Sequence, residues 1–150
     1  MIPQPTRTPL VFFSLRLADP AWRHLTDHAL ALRGALRTAR RARPFEVDSI
    51  VVLPSALHTI WALPAGDDAL LPRVSLLRSL FAQAVEAQTG LAEEELWQDH
   101  LVPHRIDQAS DVAAWREMIH SAPVTTGLSA APEAWQYSSI HRARDAARAM

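Results

Sequence analysis

Hydrophobic residues recur along this chain in two periods, and the switches between them mark out its elements. Leu10 to Leu17 (Leu-Val-Phe-Phe-Ser-Leu-Arg-Leu) is dense in β-formers and reads as a strand. Asp19-Pro20 follows, offering an N-cap and a proline at the first helical position. Trp22, Leu25, Ala29, Leu32 and Leu36 then fall at helical spacing, so one helix with a single buried stripe is expected, bounded by Pro44. Phe45 to Leu53 and Leu57 to Leu63 read as a second and a third strand, joined by a short hairpin link at Pro54-Ser55-Ala56. After the loop Pro64 to Asp68, Leu70, Val74, Leu77, Phe81 and Val85 define one face of a second helix, with Gly90 near its end. Leu96 to Ile106 is mixed, with a fourth strand expected within it. Ser110 can cap a helix through His120 that Pro123 stops, and Gly127 and Pro132 mark turns. The order strand, helix, strand, strand, helix, strand, helix predicts an α+β ferredoxin-like sandwich, an antiparallel sheet with helices packed on one face.

Composition narrows the picture only a little. The chain has 150 residues, 49% hydrophobic and 21% charged, ordinary for one globular domain. The expected organisation is an irregular N-terminal tail over residues 1–9, a domain over 10–143 and a C-terminal tail over 144–150, Ala/Arg-rich and helical or frayed. The basic residues are 15 arginines without a lysine. Guanidinium groups suit phosphate contacts, although a GC-rich genome produces the same bias. The net charge of −1 argues against a strongly basic nucleic-acid binder and leaves room for a local basic face. The absence of cysteine removes disulfides, thiolate nucleophiles and cysteine zinc sites. No apolar run approaches the ~20 residues of a membrane span, and the start of the chain lacks the apolar core of a signal peptide, so a cytoplasmic protein is expected.

Several segments, in order, carry a family resemblance. They are Arg43-Pro44-Phe45, Val51-Val52-Leu53-Pro54, His58-Thr59-Ile60-Trp61-Ala62-Leu63-Pro64, Leu96-Trp97-Gln98 with His104 and Ile106, Pro123-Val124, Gly127-Leu128, Pro132, and the closing run Trp135-Gln136-Tyr137-Ser138-Ser139-Ile140-His141-Arg142. Together they resemble the REP-associated branch of the IS200-type tyrosine transposases, over roughly residues 10–143. That resemblance implies DNA transposition by single-strand cleavage and rejoining. Two histidines flanking one hydrophobic residue on a strand (the HUH signature) point to one face and hold a divalent metal, Mg or Mn, on the scissile phosphate. A helix tyrosine attacks the phosphorus, and an amide one turn later assists the metal. Partners implied are single-stranded or hairpin DNA. Some relatives work as dimers that exchange the tyrosine; the sequence leaves the oligomeric state open.

Carried across, the resemblance puts Ala56 at the first histidine, His58 at the second, Met118 at the nucleophile and Ala122 at the amide. Methyl and thioether groups cannot serve as those ligands or as an oxygen nucleophile. The expected catalytic set is therefore empty, the metal set is a vestigial His58, and no cofactor is expected. The plainer reading of His58 is a polar residue on a sheet face, and that of Met118 is packing against the sheet beside Val112, Trp115 and Ile119. A site rebuilt from His58 with His100, His104 and His120 is the least favoured alternative. Candidate DNA contacts are Arg33, Arg37, Arg40, Arg41 and Arg43, with Arg73, Arg78, Arg142, Arg144 and Arg148 as weaker candidates. The alternative for the first group is a solvated helix end. Ser75, Leu80 and Thr125 stand where relatives tend to carry further basic residues. Trp22 and Trp61 read as core, while Trp97 and Trp135 have no place assigned. The Glu93-Glu94-Glu95 run reads as a solvated helix end. The leading expectation is a transposase-like protein, catalytically inactive, that retains DNA binding; the alternative is a non-enzymatic protein-interaction module on the same fold.

Overall fold

The computed structural model describes residues 9–143; the expected tails, apart from Pro9, lie outside the described residues, as do Arg144 and Arg148. The elements are β1 (Leu10–Arg16), α1 (His24–Asp27), α2 (Ala29–Ala42), β2 (Glu46–Val52), β3 (Ala56–Ala62), α3 (Leu70–Thr89), α4 (Glu93–Leu96), β4 (His104–Ile106), α5 (Ala109–Thr125) and a 3-10 turn at Pro132–Ala134. The strands form one antiparallel sheet in the order β2-β3-β1-β4. The α+β class and the antiparallel sheet are as the sequence predicts.

Helices cover both faces of the sheet, more than the one-face arrangement expected. Val11, Phe13, Leu15, Leu57 and Trp61 point toward α2 and α3, which bring Leu32, Ala35, Ala39, Val74, Leu77, Phe81 and Val85. Phe12, Val51, Ile60 and Ile106 point the other way, onto Val112 and Ile119 of α5. The physical reason lies in β1 and β3, whose apolar residues run almost without interruption. Strands of that kind are buried on both faces.

Asp19-Pro20 starts a turn, not the predicted helix. The Asp19 carboxylate accepts the Ala21 N–H at 2.8 Å, closing a local loop that competes with helix. The helical stripe begins only at His24 and breaks at His28 (φ −120°), where α2 takes over. At the far end α5 starts after Gln108, not at Ser110. It runs through Pro123 to Thr125 and stops before Gly127, whose φ is +77°. A proline in the final turn costs one hydrogen bond at a helix end that is already losing them.

Arg73 is fully buried (0% exposed). Its guanidinium donates to the Pro44 carbonyl (3.1 Å), the Ala69 carbonyl (2.7 Å) and the Asp67 carboxylate (3.0 Å). Arg43 holds the other Asp67 oxygen at 2.8 Å. The cluster fastens the α2–β2 connection to the loop that leads into α3.

The closing run occupies the outer edge of β2. The Val52 N–H donates to Tyr137 O (2.9 Å), the Ser139 N–H to Ile50 O (2.8 Å) and the Ile50 N–H to Ser139 Oγ (2.9 Å). Trp135 Nε1 donates to Val52 O at 2.9 Å, and Arg142 to the Val47 and Asp48 carbonyls. An edge strand that would otherwise offer unpaired backbone is thereby covered. Trp135→Phe keeps most of the packing and removes one bond, so it is expected to lower stability by about 1 kcal/mol. A urea midpoint shifted down at unchanged slope is the measurement that checks it.

Candidate nucleic-acid interface and the His58 face

His58 lies on the α5 side of the sheet. Period-2 alternation puts Ala56, His58 and Ile60 of β3 on that face, and the register sets Arg16 opposite Ala56, Ser14 opposite His58 and Phe12 opposite Ile60. His58 Nδ1 and Ser14 Oγ are 2.6 Å apart, and the Phe12 ring lies parallel to the imidazole at 6.4 Å. Burial, reinforced by the nearby Arg16 cation, pushes the His58 pKa down to about 4. The imidazole is therefore neutral at pH 7, half-buried and engaged with a hydroxyl.

From α5, Val112, Trp115, Ile119 and Ala122 pack onto this face, with Trp115 stacked on Phe12 at 4.4 Å. Met118 does not pack against the sheet as expected. It is turned about 100° round the helix from Ile119 and is 46% exposed. Ala56 is buried, and Ala122 is half-buried at the margin of the cluster under α5.

A divalent metal does not fit this donor set. One imidazole with two alanines supplies a single ligand where such ions need several, and the Arg16 cation sits across from Ala56. The other histidines do not repair it. His100 and His104 line a hollow on the β1–β4 side. His120 lies at the opposite edge, 3.1 Å from Ser139 Oγ. Among the described residues no group of three or more histidines and carboxylates is gathered for a metal. The sole tyrosine, Tyr137, lines a cleft on the α2 side, away from His58.

The candidate arginines divide by environment. Arg33, Arg37 and Arg41 stand exposed on the outer face of α2, and none of them has an ion-pair partner among the described residues. Arg40 turns back to Glu46 (2.8 Å) and the Phe45 carbonyl (3.0 Å), and Arg43 is spent on Asp67. Arg73 is buried and unavailable to DNA. Arg78 is half-buried against Gln98, its Nε without a partner, with Glu93 and Asp99 close by; burial lowers its pKa. Arg142 bonds β2 carbonyls and, with Arg33, borders the cleft of about 230 Å³ between α2 and the closing run.

The tryptophans are structural. Trp61 stacks on Phe45 at 3.8 Å, Trp97 donates to the Arg78 carbonyl, and Trp22 packs at the margin of the α2–α3 core. Glu93 accepts the Ser79 hydroxyl at 2.8 Å, so that carboxylate is tied to α3. Sequence reasoning passes over two side chains that matter. Arg16 is one of two polar residues in an apolar strand, and its signal is the alternation with Phe12 and Ser14. Asp48 sits at a bulge in β2 and takes both ends of the Arg116 guanidinium (2.8 and 2.6 Å), joining β2 to α5. Arg116 holds the Asp48 carboxyl below its ordinary range.

The sheet, ordered β2-β3-β1-β4, sets a helix over a histidine-bearing central strand, and a histidine strand beside a helix is what the sequence resemblance implies. No family model matches the chain. The REP-associated tyrosine transposase of Escherichia coli (strain K12) is 33% identical over 139 residues, covering 93% of this chain and 79% of that protein. A Haemophilus influenzae relative, provisionally assigned to the same family, is 29% identical over 91% of this chain and 82% of its own length. A solved structure of a REP-associated tyrosine transposase bound to a REP hairpin superposes with a TM-score of 0.84 at 30% identity, over 95% of this chain and 83% of that one. The chain belongs to the REP-associated tyrosine transposase family. No helix among its described residues is long and apolar enough to cross a membrane.

Proposed function

We propose that this chain binds hairpin DNA and neither cleaves nor rejoins it. The observation that carries the second half is the set of side chains around His58: Ala56, Met118 and Ala122 bring no ligand and no oxygen nucleophile to that face. Support for the first half comes from the relative solved with a REP hairpin and from the exposed arginines of α2. Arg33, Arg37 and Arg41 recur at i, i+4 and i+8, a spacing that lets one helix face follow a phosphate backbone. Arg40, Arg43 and Arg78 are given over to intramolecular contacts and carry less of this role.

Titration of a labelled hairpin between about 50 and 200 mM salt tests the binding. Affinity is expected to fall steeply with salt. Arg33→Ala combined with Arg37→Ala should flatten the log–log slope by about 2, the loss of two phosphate contacts. Absence of binding at the lowest salt would overturn the reading and favour a protein-interaction role. Incubation with Mg or Mn and end-labelled single-stranded DNA tests inactivity. Neither a shorter strand nor a protein–DNA adduct is expected on a denaturing gel, and either product would refute it.

A further inference from the structure

The face that lacks metal ligands is not without positive charge. Arg16 ends β1 on the same side of the sheet as His58. It is exposed, and its guanidinium makes no hydrogen bond or ion pair among the described residues. Beside it opens a hollow of about 300 Å³, lined by Phe12, Ser14, Gln98, His100 and His104. The backbone builds it directly. The Gln98 N–H donates to the Arg16 carbonyl at 2.9 Å, and Leu17 bridges to Trp97, so the segment leading to β4 is fastened alongside β1. His104, on β4, is fixed by ring contacts to Phe12 and Trp115.

The polar lining consists of a guanidinium, two imidazoles, an amide and a hydroxyl. No carboxylate is among these residues: Asp99, between Gln98 and His100, lines the neighbouring hollow with Arg78 and Glu93. The Arg16 guanidinium, the His100 and His104 imidazoles and the Gln98 amide converge on a concave surface without an opposing acid, while the Ser14 hydroxyl is engaged with His58. Such a lining suits an anion, and a guanidinium suits the two oxygens of a phosphate.

We propose that this pocket binds a backbone phosphate of an unpaired DNA strand, with the Arg16 guanidinium supplying, opposite Ala56, the positive charge that a metal ion supplies in the implied family site. The inference rests on the DNA-binding reading above and adds a subsite to it. No bond is made or broken: the guanidinium neutralises the phosphate and holds the strand without activating it. Such a contact needs no divalent ion and persists in chelator.

The test compares a blunt hairpin with one carrying a single-stranded flank, both in EDTA. The flanked hairpin is expected to bind about tenfold more tightly. Arg16→Gln should abolish that gain, leave the blunt hairpin unchanged, and lower the salt slope for the flanked one by about 0.7. Arg16 is exposed and holds no other side chain, so an unchanged melting curve is expected to accompany the variant. Equal affinity for the two hairpins, or a gain that survives Arg16→Gln, overturns the subsite. Failure of both hairpins to bind overturns the proposed function instead. Inorganic phosphate, followed by the imidazole NMR signals of His100 and His104, then judges the pocket alone. A shift seen in the parent chain and lost in Arg16→Gln supports an anion site, and no shift refutes it. A phosphate shift without any gain from the flank assigns the pocket to free phosphate and overturns its role toward DNA.

Discussion

Replacing Arg73 by Met is expected to destabilise the folded chain by roughly 3 kcal/mol, a large share of what a domain of this size has. The side chain is fully buried, and methionine fills similar volume, so the loss is not mainly one of packing. What disappears is the donor set. The Pro44 and Ala69 carbonyls each lose a charge-assisted bond, and an interior carbonyl left without a donor costs more than the bond contributed. Asp67 is affected least, because its carboxylate is half-exposed and keeps Arg43. Arg73→Lys should recover little, since an ammonium cannot reach three acceptors spread around a planar fork. Chemical denaturation of the two variants beside the parent checks both statements. A loss under about 1 kcal/mol for Arg73→Met would show the cluster to be a surface ion pair in energetic terms.

Arg73 also marks where sequence reading stops. Its helix was the clearest element, because Val74, Leu77, Phe81 and Val85 repeat at 3.6-residue spacing and Gly90 adopts the left-handed conformation that ends it. Periodicity assigns a side chain to a helix face but does not say that an arginine on the buried face has found partners. Those partners come from the loop at Asp67 and the connection at Pro44, both set by tertiary contacts. β2 and β3 were legible with their turn, because Pro54 and Ser55 interrupt two β-rich runs. α1 was not, because a local Asx contact at Asp19 overrode a good N-cap signal. The closing run stood out through its likeness to the family, while its role as a cover for the β2 edge depends on backbone hydrogen bonds that no composition reveals.

The candidate site was legible in identity and illegible in surroundings. Ala56, Met118 and Ala122 can be placed by resemblance alone. That Met118 turns outward, that Arg40 and Arg43 are occupied, and that Arg16 faces the position of a missing ligand all depend on register and helix phase. A one-residue shift of β1 would send Arg16 to the opposite face. The alternation is what sets Ala56 on β3 opposite an exposed cation on β1.

His58 makes the second large effect a matter of pH. Its pKa is about 4 in the folded chain and near 6.5 when the chain is unfolded. The folded pKa is the lower one, so between these values the unfolded chain binds the extra proton. Stability is thus fully present above about pH 6.5 and drains away as pH falls toward 4. The total is on the order of 3 kcal/mol, because each pKa unit corresponds to about 1.4 kcal/mol. The depressed carboxyls, Asp48 among them, add to acid sensitivity only lower down, as pH falls below the ordinary carboxylate value near 4. The two causes therefore occupy different windows. His58→Gln removes the titrating group while keeping a polar side chain beside Ser14. It should flatten the stability curve between pH 6.5 and 4 and leave the steeper fall below pH 4 in place. Urea midpoints at half-unit pH steps for the parent and the variant separate the windows. An equally steep fall in both between pH 6.5 and 4 would mean that His58 is not the group being protonated.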